Sequence, residues 1–588
     1  MGFLDLFSLS RREVVQQVLM QAKRVSGPPW LAGNALLVNA LLFGVGLVGL
    51  TLVSEPTLWT RCAVTLVGVL LGGCVLYQLT ACAWADHLMR WWRHGNGDRL
   101  NVRHEHEMRL KAKTPKYVTP AAFRQAVKEG RQWTIINGSV YDISGLTAPG
   151  KHPGGNFLAD FVGIDASLSF YTAHIKSDQV WRRLRVSWMG YLTQPDASSG
   201  EDTSDLMCSR DKALHKLIEE FAAEGLFAYP LRHWLWDMQG PVLFLISLLT
   251  AHWCIQGRIP ASWWGWLLYV ASIGCGAFGA LLGQYLCHDV GHQSAFETKA
   301  QGKRFCKWFA VVWGGIDWSE GAIVHDAHHA FPHVVGRDKS LDTTPLVYWH
   351  PAQLLEASLD KLSTGYATWA SFMWFFVILW IYMPLEVARS VVEAAKRRDA
   401  LVFGGIMARM AAPFLPTLLF GASWHYASWI MLVGEFGFAS LALCASLNHF
   451  LFDAITVDQY LGTVHQTSAV DQRLHGFVAL QAGVTENHNR AAMDHGLHGF
   501  TTAAAGDDKA SFPSVLRRVV MGSWDAVVSC WVGHFNYHIE HHLVPYMPRR
   551  NLHKVTARCR ALVGEDLYAS TTHAEGVAAF LRKLRRPF

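Results

Sequence analysis

Long uncharged apolar runs alternate with polar stretches along this 588-residue chain. Runs of the roughly 20 residues needed to span a bilayer fall near 30–54, 62–85, 240–257, 259–287, 362–385, 411–434 and 436–452. The first two join through Glu55-Pro56. Arg11, Arg12, Lys23 and Arg24 precede them, and Arg90, Arg93 and Arg99 follow. The positive-inside tendency makes this pair a hairpin with both ends cytosolic. The next pair turns at Gly257-Arg258-Ile259-Pro260 and returns to the cytosolic side at His288. Arg389, Lys396, Arg397 and Arg398 argue that the chain after 385 stays cytosolic. The run 362–385 is therefore expected to be interfacial or partly buried, with 411–434 and 436–452 as the last hairpin. The expected fold is a multi-pass α-helical membrane protein of about six spans. It comprises an N-terminal membrane hairpin extension (1–90), a membrane domain (231–560) and a basic C-terminal tail (561–588).

Residues 113–195 break this pattern. Short alternating stretches such as Trp133-Thr134-Ile135-Ile136 and Ser139-Val140-Tyr141, with several Gly and Pro, predict a small α+β domain inserted between the membrane runs. A Ser/Asp/Glu/Gly-rich linker (196–206) follows it.

Composition agrees with a membrane protein: only 17% of residues are charged, against about 25% in soluble domains. Tryptophans near run ends, as at Trp263, Trp264 and Trp266, suit an interfacial belt. A formal charge of +6 is too modest for this length to imply nucleic acid. Eleven scattered cysteines without a C-x-x-C exclude a disulfide framework or zinc knuckle as the organising device. No cleavable signal peptide is expected, and Leu6 stands where a myristoylation signal needs Ser or Thr. Gly44-x-Gly46-x-x-Gly49 and Gly274-x-Gly276-x-x-Gly279 match a dinucleotide fingerprint but lie inside apolar runs. Close packing of membrane helices explains them better.

Eight of the 29 histidines fall in three clusters: His288 and His292; His325, His328 and His329; His538, His541 and His542. Spacings of three or four residues put imidazoles on one helix face, and neutral imidazole ligates iron as well as zinc. A closed zinc site takes about four ligands, often with cysteine. Eight histidines without cysteine favour two redox-active ions. Asp289, Asp326 and Glu540 lie inside the clusters and are expected to orient the imidazoles as hydrogen-bond acceptors.

Within the α+β domain, His152-Pro153-Gly154-Gly155 places a histidine on a turn whose glycines let a flat cofactor approach. His174 follows 22 residues later, and Phe157, Phe161 and Phe170 offer apolar walls. Spacing alone does not separate a cofactor site from two surface histidines.

Residues 113–192, with Trp133, Val140-Tyr141-Asp142, His152-Pro-Gly-Gly155 and Asp165-Ala166, resemble a cytochrome b5 domain. The resemblance implies haem b held between His152 and His174, passing single electrons. The three clusters resemble the histidine boxes of membrane fatty-acid desaturases, which implies two non-haem iron ions. Asn536-Tyr537-His538-Ile539-Glu540-His541-His542 and Asp338…Asp342-Thr343-Thr344-Pro345 are similar to the front-end subgroup, which carries an N-terminal cytochrome b5 domain. One departure is His538, where that subgroup commonly has Gln. The family also implies a further ligand from the last membrane helix, here His449, with Asn448 beside it to hold a water. Glu486-Asn487-His488-Asn489 matches no box and is expected to be a loop.

Together these imply a desaturase of long acyl lipids, carried on CoA, a phospholipid or a sphingoid. It would use O2 and electrons from a separate NADH-cytochrome b5 reductase, with haem domain and boxes on the cytosolic face of the endoplasmic reticulum. A sphingolipid-base desaturase or a fatty-acid hydroxylase on the same scaffold is the alternative among enzymes; a membrane haem protein that only relays electrons is the alternative outside them.

Overall fold

A computed structural model describes residues 101–148, 150–152, 156–193, 206–237, 239–256, 263–296, 299–309, 318–338, 348–356, 379–411, 423–468, 470–489 and 528–585, with 369, 414 and 418. The hairpin expected at 1–90, most of the linker 196–206 and all but Trp369 of 362–378 lie outside the described residues.

The alternating stretches form a four-stranded sheet: β1 (Tyr117–Val118), β2 (Trp133–Ile136), β3 (Ser139–Asp142) and β4 (Trp188–Leu192), in the order β1-β4-β3-β2. β2 and β3 pair antiparallel across Asn137-Gly138, whose φ values of 52° and 63° are those an Asn-Gly hairpin turn requires. Parallel pairing of β1 with β4 completes the sheet. Around it lie α1 (Asn101–Lys111), α2 (Pro120–Lys128), α3 (Ser144–Thr147), α4 (Ser167–His174) and α5 (Asp178–Leu184). α2 shows why it starts where it does: Thr119 Oγ1 accepts from Ala122 N at 3.1 Å and Pro120 occupies the first turn.

Beyond this domain the described residues are mainly helical. α6 (Ser209–Ala223) and α7 (Leu231–Asp237) lead into α8 (Gly240–Gln256) and α9 (Trp263–Gly291). Then come α10 (Lys299–Phe309), α11 (Trp318–Ala330), α12 (Pro351–Glu356), α13 (Leu379–Lys396), α14 (Ala400–Ala411) and α15 (Trp424–His449). α16 (Val457–Val464), α17 (Gly476–Gly483), α18 (His538–Leu543), α19 (Thr556–Val563) and α20 (His573–Arg585) complete it. Among the described residues, α9 and α15 are long and apolar enough to cross a membrane, and α8 is a shorter apolar helix.

Glycine lets these helices touch. A Cβ on Gly279 would stand 2.7 Å from the Gly240 carbonyl oxygen, and one on Gly276 would stand 2.8 Å from Ser247 Oγ. The second glycine fingerprint therefore serves helix packing, as its apolar setting suggested.

Two expectations change. The runs 411–434 and 436–452 do not form a hairpin: α15 continues through Glu435, the charge that separates them. One carboxylate leaves the i→i−4 ladder intact, and no proline lies near residue 435 to break it. The stretch 561–588 is not a free basic tail. Its helix α20 buries Phe580 and Leu584 against Trp349, Leu447 and Phe450 at the end of α15.

The α+β domain shares one apolar core with the helical part. Tyr171 and Trp181 belong to the same buried cluster as Phe477, Ile539 and Tyr546. Asp211 of α6 secures the start of α17 by accepting from the amides of Phe477 and Val478, both at 2.9 Å.

Candidate metal centre

The last turns of three helices and the whole of a fourth bring nine histidines together. α9 ends with His288 and runs into His292, α11 closes on His325, His328 and His329, and α15 ends at His449. The six-residue α18 carries His538, His541 and His542. Eight of them sort into two groups, His288/His292/His325/His541 and His328/His449/His538/His542, each with ligand nitrogens within 4.8 Å of one another. In the first, His288 Nε2 lies 2.9 Å from His325 Nε2. In the second, His449 Nε2 lies 2.8 Å from His538 Nε2 and 3.2 Å from both His328 Nε2 and His542 Nε2. His329 stands between the groups: its ring is 4.5, 4.8 and 4.6 Å from those of His292, His325 and His541, and 4.3 Å from that of His542.

Electrostatics fits this set to metal cations. Among the described residues, Nε2 of His292, His329 and His541 is buried without a hydrogen-bond partner. Buried polar atoms are rarely left so. Burial holds the imidazoles of His329, His538, His541 and His542 well below the usual histidine range, and neighbouring imidazoles push them further. His325 is pushed down to about 3, chiefly by burial. The cluster therefore presents neutral nitrogens, the form that ligates metal.

The rings are held from behind. His328 Nδ1 pairs with Asp338 Oδ2 at 2.7 Å, His542 Nδ1 with Gln481 Oε1 at 2.8 Å, and His449 Nδ1 with the Val484 carbonyl at 3.2 Å. Each contact fixes a tautomer that leaves Nε2 for a metal.

The three acids inside the boxes do other work. Asp289 accepts from Arg549 Nη1 at 2.6 Å, and Arg549 Nη2 reaches Asp237 at 2.6 Å. Asp326 pairs with Lys299 at 2.8 Å. Glu540 takes the Tyr568 hydroxyl at 2.6 Å and Asn487 Nδ2 at 2.8 Å. A residue adjacent to a histidine on a helix points about 100° away from it, so these acids chiefly anchor the helices; Asp289 Oδ1 comes no nearer to His288 Nδ1 than 3.7 Å, beyond hydrogen-bond distance.

In the α+β domain, His174 ends α4 and its ring centroid lies 6.0 Å from that of His152. Two imidazoles each about 2 Å from a shared ion leave close to that separation. Burial pushes the His174 imidazole down to about 3, with Lys299 and His152 adding to it, so it too is neutral. Phe170 lies 5.1 Å from His174, ring to ring, and Phe157 packs edge-on against Phe331 at 5.1 Å. The pair fits haem; Pro153–Gly155 lie outside the described residues.

Residues 261–573, more than half of the chain, match the fatty acid desaturase family. The chain belongs to that family. Residues 119–221 of this desaturase match the cytochrome b5-like haem/steroid binding domain, so the electron carrier is fused to the oxidoreductase. Similar proteins include the fatty acid desaturase 2-like protein FADS2B of Mus musculus, 22% identical over 441 residues, covering 74% of this chain and 77% of the relative. The acyl-lipid (8-3)-desaturase of Thraustochytrium sp is 24% identical over 451 residues, 74% of this chain and 88% of its own. The Delta(8)-fatty-acid desaturase of Borago officinalis is 23% identical over 466 residues, 75% and 87% respectively. No solved structure gives a significant match.

Three contributors to the desaturase site escaped the sequence reading. Gln481 comes from an apolar helix, and Arg549 follows the third cluster among other basic residues. The third is the loop at Glu486-Asn487-His488-Asn489, which is a loop as expected yet braces the last box. Asn487 accepts from Ile539 N at 2.8 Å and donates to Glu540, while His488 N bonds the Asn536 carbonyl at 3.0 Å. Asn448 donates to the Phe535 carbonyl at 3.2 Å and leaves Oδ1 buried without a partner among the described residues.

Proposed function

We propose that this desaturase introduces a double bond into a long acyl chain of a membrane lipid, with two iron ions on the histidine groups and haem b on His152 and His174. His288, His292, His325 and His541 would hold one ion, with His329 as a fifth donor. His328, His449, His538 and His542 would hold the other. Two adjacent four-imidazole groups without a cysteine carry this reading. Bound iron supplies the oxygen chemistry that unactivated C–H bonds demand and side chains lack.

The chain's own residues do the rest. Asp338, Gln481 and the Val484 carbonyl aim imidazole Nε2 atoms inward, and burial keeps bulk water from the centre. Electrons would arrive from an NADH-dependent reductase through the fused domain, whose shared chain raises its effective concentration. The acyl tail would enter from the bilayer.

The topology is part of the proposal. His288 and His449 lie at the C-terminal ends of two long apolar helices and meet in one centre. α9 and α15 therefore run in the same direction, and an odd number of crossings lies between residues 292 and 423. With the N-terminal hairpin and α8, the crossings come to an even number. Haem domain and boxes then share one face, which we assign to the cytosolic side of the endoplasmic reticulum.

Expression in a host of simple lipid profile, with product double bonds mapped by mass spectrometry, tests the reading. Loss of two hydrogens supports desaturation; gain of one oxygen would make the enzyme a hydroxylase. His541→Ala should abolish product and leave the haem absorption intact. Retained product in that variant overturns the iron assignment.

A further inference from the structure

One half-buried carbonyl joins the two candidate sites. The Ala173 carbonyl, immediately before His174, accepts from Gln293 Nε2 at 2.8 Å and from Lys299 Nζ at 2.9 Å. Gln293 immediately follows His292. Lys299 continues to Asp326 Oδ2 at 2.8 Å, next to His325. Gln293 is held on every polar atom by the haem domain or its own turn. Its Oε1 accepts from Lys176 N at 3.1 Å, and its backbone carbonyl accepts from Lys176 Nζ.

Gln293 is also an odd residue for its place. Its φ of 61° lies in the left-handed region, which residues with a Cβ disfavour. Glycine would close the turn after α9 without that strain. The strained glutamine is only 1% exposed, and its amide is spent entirely on the neighbouring domain.

We propose that Gln293 is a positioning residue that bridges the haem site to the first histidine group. The inference rests on the iron and haem assignments above. From His174 the covalent path runs back to the Ala173 carbonyl, crosses the 2.8 Å hydrogen bond to Gln293, and continues along the backbone to His292. The parallel path through Lys299 and Asp326 needs two hydrogen bonds, of 2.9 and 2.8 Å, to reach His325. Both end at the first group and neither at the second. Phe157 against Phe331 and Arg337 against Asp160, 3.3 Å apart, brace the same junction. A single electron crosses at a time. Ferrous haem is oxidised to ferric, a ferric ion of the first group is reduced to ferrous, and no covalent bond forms or breaks. Two crossings deliver the electron pair for each turnover, replenished by the nicotinamide-dependent reductase.

The test uses the full-length holoenzyme without oxygen. Haem is reduced by a photochemical flavin flash, and its reoxidation is followed at the α absorption band. Gln293→Ala and Gln293→Met should both slow reoxidation by about tenfold or more, the scale on which supporting contacts act. Haem midpoint potential, iron per chain and hydrogen exchange across α4 should match the parent. Parent-like reoxidation in Gln293→Ala overturns the bridge, as does slow reoxidation in Gln293→Ala that Gln293→Met restores, since bulk would then suffice. A slow rate accompanied by faster exchange at α4 or by lost iron also overturns it. His541→Ala separates the two layers. If it reoxidises haem at the parent rate, the iron assignment fails; if it is slow and Gln293→Ala is not, only the bridge fails.

Discussion

His328 Nδ1 stands 2.7 Å from Asp338 Oδ2, and the same oxygen accepts the His333 amide at 2.8 Å. One buried carboxylate thus orients an imidazole of the second box and ties down the turn that follows it. Asp338 lies outside every histidine cluster, yet it plays the part that the acids within the clusters were expected to play.

Asp338→Ala should lower desaturation and iron content by about 10–100-fold, measured by product yield and metal analysis, with the haem spectrum unchanged. Asp338→Asn should be milder, because its amide oxygen still accepts from Nδ1–H.

His538→Gln should keep the product pattern and most of the iron. His538 faces His449 at 2.8 Å, and Gln commonly stands at this position in the front-end subgroup. His538→Ala should lose both. Mapping double bonds in the two variants side by side makes the comparison.

Arg549 is 1% exposed and pairs with two buried acids, Asp237 and Asp289. Arg549→Met would strip Asp289 of its arginine and leave Asp237 to Arg550, 2.9 Å away, and the Tyr229 hydroxyl, at a cost of about 3 kcal/mol, read as a lower Tm. Adding Asp289→Asn should recover part of the loss, because one uncompensated charge is then gone.

His106 is buried against Tyr141, its Nε2 3.0 Å from the hydroxyl, and burial pushes its imidazole down to about 4. The unfolded chain therefore binds a proton below pH about 6.5 that the folded chain refuses until about 4. Stability should fall as pH drops through that window, by at most about 1.4 kcal/mol per pH unit from this residue. His106→Gln should flatten that slope in thermal melts taken at pH 4 to 6.5.

The histidines were legible because their chemistry and spacing are local: imidazoles three or four apart need only a helix to converge. His449 was reached through the desaturase resemblance, which implies a ligand from the last membrane helix, and its place at the end of an apolar run agreed with that. The roles of Asp289, Asp326 and Glu540 were not, because adjacency in sequence means divergence on a helix. Glu435 misled the topology: a charge reads as a break between runs, while the backbone ladder of α15 passes through it unchanged. Gln481 and Gln293 were hidden for another reason. Their partners, His542 and Ala173, are 61 and 120 residues away, and nothing in either local pattern points there.

The hold of Tyr568 and Asn487 on Glu540 has a consequence for biosynthesis. A chain is made from its N-terminus, and domains fold as they emerge. The last strand of the haem domain, β4, is out by residue 192, while Ile539 and Tyr546, which share its apolar core, come with α18 and its tyrosine brace at residues 538–568. The haem domain therefore reaches its final packing only with the segment that closes the histidine centre. A ribosome that stalls midway releases a chain in which neither the haem domain nor the histidine centre has its final packing.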